Sequence, residues 1–166
     1  MAQYGTTMPV VKDAFYDLLA ARVNAPTTAF ALTYGSPTDA TQLLSESGAG
    51  VAAWWADEVD ATIDVPVFVG GDKWYDETYP LTLVIQGLAL NTDDTQDVID
   101  VRASHVLGEA IGILASDPVV GITDTSEYQI HEIVPLGWAY RSGALNLQRA
   151  GHFEFQIAVT ARLKLT

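Results

Sequence analysis

The sequence predicts an α+β domain, in which a mostly antiparallel five-stranded sheet carries two helices on one face in the order α-β-β-β-α-β-β. Two segments have helical periodicity, three segments of strand character lie between them, and two more strand segments follow the second helix. Strands that follow one another directly along a chain usually pair antiparallel, and the helices then gather on one face. With 166 residues, 49% of them hydrophobic, the chain suits a single domain over 1–166 with a sizeable core.

The first helix is predicted over residues 8–23. Pro9 lies near its start, where the missing N–H costs little, and Pro26 follows its end. The apolar side chains expected on its buried face are Val11, Phe15, Leu18 and Leu19. This periodicity predicts a helix that packs along one side only.

The second helix is predicted over about 95–116, with Thr95 as N-cap and Pro118 beyond its end. Asp97 and Asp100 favour the positive end of the helix dipole. The apolar stripe consists of Ile99, Ala103, Val106, Leu107, Ala110 and Leu114.

Five strands are predicted from alternating or continuous apolar runs, over 28–34, 61–71, 78–90, 128–140 and 152–165. Pro66 makes the second an edge strand or marks a bulge. The third is apolar almost throughout past Pro80, which favours a central position covered on both faces. Residues 35–60 are predicted to be a long acidic surface loop, and part of the connection between the last two strands also has strand character.

The last strand is unusually long. Its apolar residues occupy every second position from Phe153 to Leu165, and thirteen residues at ~3.3 Å each span roughly 43 Å. Two helices do not need so long a strand beneath them. We therefore expect the end that carries Arg162 and Lys164 to reach beyond the subunit core and pair with an acidic segment or open sheet edge of the next subunit.

No reactive motif stands out. The one loose dinucleotide-type match, GAGVAA at 48–53, follows a predicted loop, whereas a true site follows a strand. The histidines, His105, His131 and His152, lack the paired spacing of metal ligands. Neither a nucleophile-elbow motif nor a phosphate-binding loop is present. We expect no enzyme activity, no cofactor and no metal site.

Charge is distributed unevenly along the chain. The formal net charge is −13, which argues against ordinary nucleic-acid binding. Nine acidic residues lie between 39 and 77 against Lys73 alone, whereas residues 137–166 hold four bases against Glu154. Such a division suits head-to-tail or ring contacts between copies. There is no cysteine, no signal-peptide pattern and no 18-residue apolar run, so we expect no membrane contact.

Aromatic residues cluster in acid-rich or loop-like segments, which leaves three interpretations open: domain-edge core, anchors of a protein interface, or a sugar-binding platform. The residues that we single out as candidates for a subunit or partner interface are Trp74, Tyr75, Trp138, Tyr140, Arg141, Arg162 and Lys164.

Four segments, taken in order, resemble the tail terminator proteins of long-tailed bacteriophages. These are the opening helix VVKDAFYDLLAARV, the segment VPVFVGGDKWYDETYPLTLVIQGLAL, the helix end ASDPVVGI and the closing strand GHFEFQIAVTARLKL. The resemblance is a pattern over the whole chain rather than a signature motif.

The resemblance implies a homohexameric ring on the head-proximal end of the tail tube. Such a ring stops tube polymerisation, presents a surface to the head-completion or stopper proteins, and lets genomic DNA pass through its lumen without specific binding. It implies a place in the virion, and in the host cytoplasm during assembly. An acidic lumen would repel phosphate. The alternatives are a stopper, a tail tube subunit or, from a different class, a carbohydrate-binding module.

Overall fold

The computed structural model of the chain describes residues 5–23, 31–37, 50–65, 73–145 and 148–165. Over those residues the fold is α+β, with two helices and a mostly antiparallel, open sheet of six strands. In chain order the elements are α1 (Met8–Val23), β1 (Ala31–Thr33), β2 (Val51–Trp55), β3 (Thr62–Asp64), β4 (Lys73–Leu88), α2 (Gln96–Ser116), β5 (Tyr128–Leu145) and β6 (Gln148–Leu165). Neither described helix has the length and hydropathy needed to cross a lipid bilayer.

The sheet is ordered β1-β2-β4-β6-β5, and β3 pairs with the first part of β4 on the same side as β2. β1 and β2 run parallel, and every other described pair is antiparallel. β6 is paired with β4 on one side and with β5 on the other along nearly its whole length. The three longest strands therefore form the centre and one edge of the sheet.

The predicted count of five strands is wrong because β2 lies inside the segment that we predicted to be an acidic loop. All five residues of β2 are buried, and the strand is enclosed between β1 and β4. A short strand covered on both faces shows no alternation of apolar and polar residues, so periodicity does not reveal it. Parts of the predicted strands over 28–34 and 61–71, and most of the loop over 35–50, lie outside the described residues.

The expectation that the last strand reaches beyond the core is also wrong. β4, β5 and β6 are 16, 18 and 18 residues long, so β6 is matched by neighbours of its own length. Near the end of β6, Arg162 pairs in register with Asp76 of β4 and with Gln129 of β5. The strand is long because it is the central member of a long three-stranded ladder. The strand character expected between the last two strands is confirmed, since β5 continues to Leu145 and β6 begins at Gln148.

Both helices and one face of the sheet build a single core. The predicted stripe of α2 is entirely buried, and α1 buries Val11, Phe15 and Leu19 in the same cluster. The strands contribute alternate residues, among them Leu81 and Leu83 of β4. The opposite face carries a smaller apolar cluster made of Ala52, Trp54, Val84, Leu88 and Ala150. The prediction of two helices on one face therefore describes the arrangement of the main core.

Two glycines allow α2 to approach the sheet closely. Gly87 of β4 and Gly151 of β6 are cross-strand partners. A Cβ on Gly87 would lie 3.0 Å from the carbonyl oxygen of Ile99, and a Cβ on Gly151 would lie 2.5 Å from Oδ1 of Asp100. The absence of side chains at both positions sets the height of the first turns of α2 above the sheet.

A buried polar cluster fastens the residues before α1 to strand β4. The backbone N–H of Thr7 donates to Oε1 of Glu77 at 2.6 Å, and its hydroxyl donates to the same oxygen at 2.5 Å. The hydroxyl of Tyr79 lies 2.9 Å from that of Thr7, and burial raises the pKa of Tyr79. Thr7 and Glu77 are almost fully buried, so each depends on the other for its hydrogen bonds.

We expect Ile157→Ala to lower the free energy of unfolding by ~2–5 kcal/mol, because it leaves a cavity in the main core. Ile157 is fully buried in the central strand. The matched control is Gln156→Ala on the same strand, where the side chain is exposed. Urea denaturation measures both variants. A cost for Ile157→Ala no greater than for Gln156→Ala would contradict the central placement of β6.

We expect Thr7→Val to cost ~1–3 kcal/mol, since it keeps the side-chain shape but removes the hydroxyl partner of Glu77 and Tyr79. The control is Thr123→Val, at an exposed position, for which we expect a change within about 0.5 kcal/mol. Thermal or urea unfolding is the measurement. Equal stability of the two variants would mean that the cluster contributes nothing.

Candidate functional site

Strand β5 forms one edge of the sheet, and only its first part has its outer edge occupied. The N–H of Ile133 donates to the carbonyl oxygen of Pro118 at 2.8 Å, and the N–H of Ile130 donates to Oδ1 of Asp124 at 3.1 Å. The segment 117–125 thus closes the edge as far as Ile133. From 134 to 145, no other described segment forms a backbone hydrogen bond to this edge.

The open part of β5, residues 134–145, is the candidate site and is called here the free edge. Residues 134–144 are all exposed, and they include large apolar side chains. Leu136 is 58% exposed and Trp138 is 57% exposed. Long, apolar, unpaired edges are places where another chain can add a strand. This combination of open backbone and apolar side chains marks the free edge as an interaction surface.

A bulge lies near the start of the free edge. The pairing register with β6 shifts between Pro135 and Gly137, and Gly137 has a φ of 149°, a region that favours glycine. Pro135 also lacks an N–H, which suits an edge strand. The bulge changes which side chains of β5 face the helices, so that Trp138 and Tyr140 lie on the helix face.

An aromatic cluster supports the free edge on the helix face. The ring of Phe153 lies 5.6 Å from that of Trp138 and 4.8 Å from that of Tyr140, between centroids. The hydroxyl of Tyr140 donates to Oδ2 of Asp100 on α2 at 2.7 Å. Partial burial and this carboxylate raise the pKa of Tyr140. The rings pack against Phe153 on the helix face and leave the edge of the strand exposed.

The face of the free edge turned away from the helices carries one charged residue, Arg141, which is bonded to side chains of β6. Arg141 donates to Oε1 of Glu154 at 2.9 Å, and Nε2 of His152 lies 3.1 Å from the same oxygen. Nearer the other end of the same face, Arg162 and Asp76 pair with each other. The charges described on this face are therefore largely matched by neighbours within the chain.

The structure divides the seven predicted interface residues into two groups. Trp138, Tyr140 and Arg141 lie together on the free edge, as predicted from their clustering in the sequence. The other four, Trp74, Tyr75, Arg162 and Lys164, lie together at the opposite end of the sheet, where β4 begins and β6 ends. The groups are separated by about nine residues along β6, or roughly 30 Å at ~3.3 Å per residue.

The second group is largely engaged within the chain. Tyr75 is buried, its hydroxyl donates to the carbonyl oxygen of Gly5 at 2.6 Å, and burial raises its pKa. Trp74 is half-buried beside Lys164 in the register of β4 and β6. The segment that holds both aromatics is strand rather than the charged loop that we expected.

Arg162 binds Asp76 through two hydrogen bonds, from Nε to Oδ1 at 2.6 Å and from the guanidinium NH2 to Oδ2 at 3.0 Å. This bidentate bond holds the pKa of Asp76 below its usual range, against the smaller opposing effect of partial burial. A role of Arg162 between copies stays a prediction, and the structure gives this residue a defined partner within the chain.

Sequence reasoning missed Val134 and Leu136, the apolar residues at the start of the free edge, and it did not identify β5 as an edge strand. The signal was present in Pro135, because a proline inside a strand favours an edge position. The opposite edge at β3 agrees with the sequence analysis, in which Pro66 made the second predicted strand an edge strand or marked a bulge, but the exposed apolar residues there, Ile63 (60% exposed) and the neighbouring Val65 (53% exposed), were not singled out.

The described residues contain no group of three or more side chains that could hold a metal ion. A cleft of 420 Å³ lies beside the β4–α2 turn, lined in part by Leu90, Asp94 and Arg149. Asp94 accepts the N–H of Leu90 at 2.8 Å and the guanidinium of Arg102 at 2.7 Å. Its carboxylate therefore holds the turn in place. In comparisons with known proteins, no family model and no curated sequence matched this chain.

Replacement of Arg162 should affect stability in a pH-dependent way. Because the pKa of Asp76 is lowered in the folded state, the pair stabilises the fold above the ordinary pKa of aspartate and loses its effect as pH falls through the folded-state value. We expect Arg162→Gln to cost at most ~1 kcal/mol near neutral pH, since both side chains are about one-third exposed.

The measurement is urea denaturation of both proteins near pH 7 and at one acidic pH below the ordinary pKa of aspartate, where the difference between them should be smaller because Asp76 is partly protonated. A variant of unchanged stability at both pH values would show that the pair contributes nothing to the fold. Arg162 would then be better explained by contacts outside the chain.

Proposed function

We propose that this chain is a structural subunit of a bacteriophage tail. In this proposal, copies form a ring that caps the head-proximal end of the tail tube, ends tube polymerisation and joins the tail to the head-completion proteins. The observation that carries the proposal is the free edge of β5, which exposes backbone hydrogen-bonding groups and large apolar side chains over residues 134–145. Surfaces of this kind are built for contact with another chain.

The resemblance of the sequence to tail terminators gives this contact surface its biological setting. A ring that stops a growing tube needs lateral contacts between copies and one face that fits the tube. The free edge lies on β5, the outermost strand on one side of the sheet, and therefore supplies a lateral surface. In this setting the protein acts in the host cytoplasm during assembly and ends in the virion. It has no catalytic role.

The ion pairs on the face of the sheet turned away from the helices suit a surface past which DNA moves. Basic side chains on this face are bonded to carboxylates of the same chain, as in Arg141 with Glu154 and Arg162 with Asp76. A guanidinium already neutralised in this way has less attraction for phosphate. If this face lines the lumen, genomic DNA meets few free positive charges, and the net charge of −13 disfavours retention further.

The related alternatives are a stopper or a tail tube subunit, which would use the same lateral edge. A tube subunit stacks on copies of itself, whereas a terminator presents two different axial faces. A carbohydrate-binding module is less well supported, because the aromatic groups do not share one platform. Trp138 and Tyr140 lie at one end of the sheet, and Trp74 and Tyr75 lie at the other.

We expect the purified protein to form six-membered rings, in solution or on the ends of tubes assembled from the tail tube protein of the same phage. Negative-stain electron microscopy should show one ring at one end of each tube, and added protein should stop further growth. Stacked rings that form tubes by themselves would instead identify a tube subunit. A strict monomer that leaves tube growth unchanged would contradict the proposal.

The variant that tests the surface is Leu136→Glu combined with Trp138→Glu, which places charge on the free edge and should abolish rings and capping. The control is Val101→Glu on α2, where an apolar side chain is 66% exposed on a helix rather than on the edge strand. Circular dichroism and urea denaturation should show both variants folded.

A further inference from the structure

Among the residues that the structure describes, the sheet has a second open edge, and its properties complement those of the free edge. Within those residues β3 pairs with β4 on one side only, and all three residues of β3 are exposed. Residues 57–64 contain four acids and no base, whereas residues 134–145 contain Arg141 and no acid. We propose that β3 of one copy adds to the free edge of β5 of the next copy, so that neighbouring sheets become continuous. The contact itself does not depend on the proposed function. The closed ring that repeated contacts would form does rest on it.

Strand direction is compatible with this contact. β3 is antiparallel to β4, β4 to β6, and β6 to β5. β5 therefore runs in the same direction as β4 and opposite to β3. When copies are related by rotation about an axis to which the strands are tilted, β5 of one copy meets β3 of the next in antiparallel orientation, the geometry of the other β3 pair.

The two faces of the sheet also match. Ile63 pairs with Glu77, which lies on the helix face, and Trp138 and Tyr140 lie on that same face. On the opposite face, Asp64 pairs with Asp76 and Arg141 pairs with His152. Continuous pairing thus brings apolar side chains together on the helix side and places an acid near a base on the polar side.

The contact requires the copies to be staggered along the strands. Through the ladder, Ile63 is level with Glu77 of β4, whereas Tyr140 is level with Ile85, eight residues further along. A sheet that closes on itself needs tilted strands and such a stagger. If copies joined at the same level, Trp138 and Tyr140 would lie beside β1 instead, because Ile85 is level with Ala53 of β2 and thus with Leu32.

A two-fold contact between the free edges of two copies is the main competing arrangement. It would close a dimer and leave β3 open, and it would bring two copies of Arg141 near each other. The heterologous contact avoids this repulsion and generates a ring.

Cysteine cross-linking separates these arrangements, since the chain has no cysteine of its own. The variants are Ile63→Cys, Trp138→Cys and Thr33→Cys, all at exposed or half-buried positions. They are mixed in pairs under ring-forming conditions, treated with a short bis-maleimide and analysed by denaturing electrophoresis. We expect covalent dimers from Ile63→Cys mixed with Trp138→Cys and none from either variant alone. The double variant should give a ladder that ends at the ring.

Dimers from Trp138→Cys alone would overturn the proposal in favour of the two-fold contact, and dimers only with Thr33→Cys would overturn it in favour of level joining. Absence of cross-links in every mixture would also overturn it.

Hydrogen exchange on the unaltered protein is an independent measurement. We expect amide exchange at 62–64 and within 134–145 to slow at least about ten-fold on assembly. Cross-links without tube capping would contradict the proposed function alone, whereas capping without them would contradict this contact alone.

Discussion

The central constraint on this molecule is that its sheet is longer than its helix layer. The 18 residues of β5 or β6 span about 59 Å at ~3.3 Å each, whereas the 21 residues of α2 span about 32 Å at 1.5 Å each. The helices therefore cannot cover the sheet from end to end. The free edge lies beside α2 rather than past its end, because Ser142 pairs with Gly151 beneath the first turns of that helix, and its side chains are exposed because β5 is the outermost strand on that side of the sheet.

Close packing under α2 determines where this helix lies on the sheet. Gly87 and Gly151 bring the start of the helix onto the sheet, and Asp100 then lies within reach of the hydroxyl of Tyr140. The same contact orients Tyr140 against the ring of Phe153, which Trp138 also contacts. One pair of glycines thus connects core packing to the geometry of the surface on which the functional proposals depend.

The acidic and basic residues are distributed unevenly over the sheet. Two of the four bases between 137 and 166, Arg141 and Arg162, are bound by carboxylates on neighbouring strands, so their charges on the face turned away from the helices are locally balanced. Part of the excess of acid lies next to β3, at the edge opposite the free edge. Because unlike edges attract and like edges repel, this distribution favours head-to-tail contacts over two-fold ones.

The sequence by itself determined the two helices, their buried stripes and the alternation of β6, because periodicity records which residues face a core. It also brought Trp138, Tyr140 and Arg141 together, since they are neighbours on one strand. Only the tertiary structure decided that β2 is an enclosed strand, that Arg162 is bound to Asp76, and that β5 rather than β6 is open. Strand order and pairing depend on contacts between distant residues, and local periodicity carries no record of which strand lies at an edge.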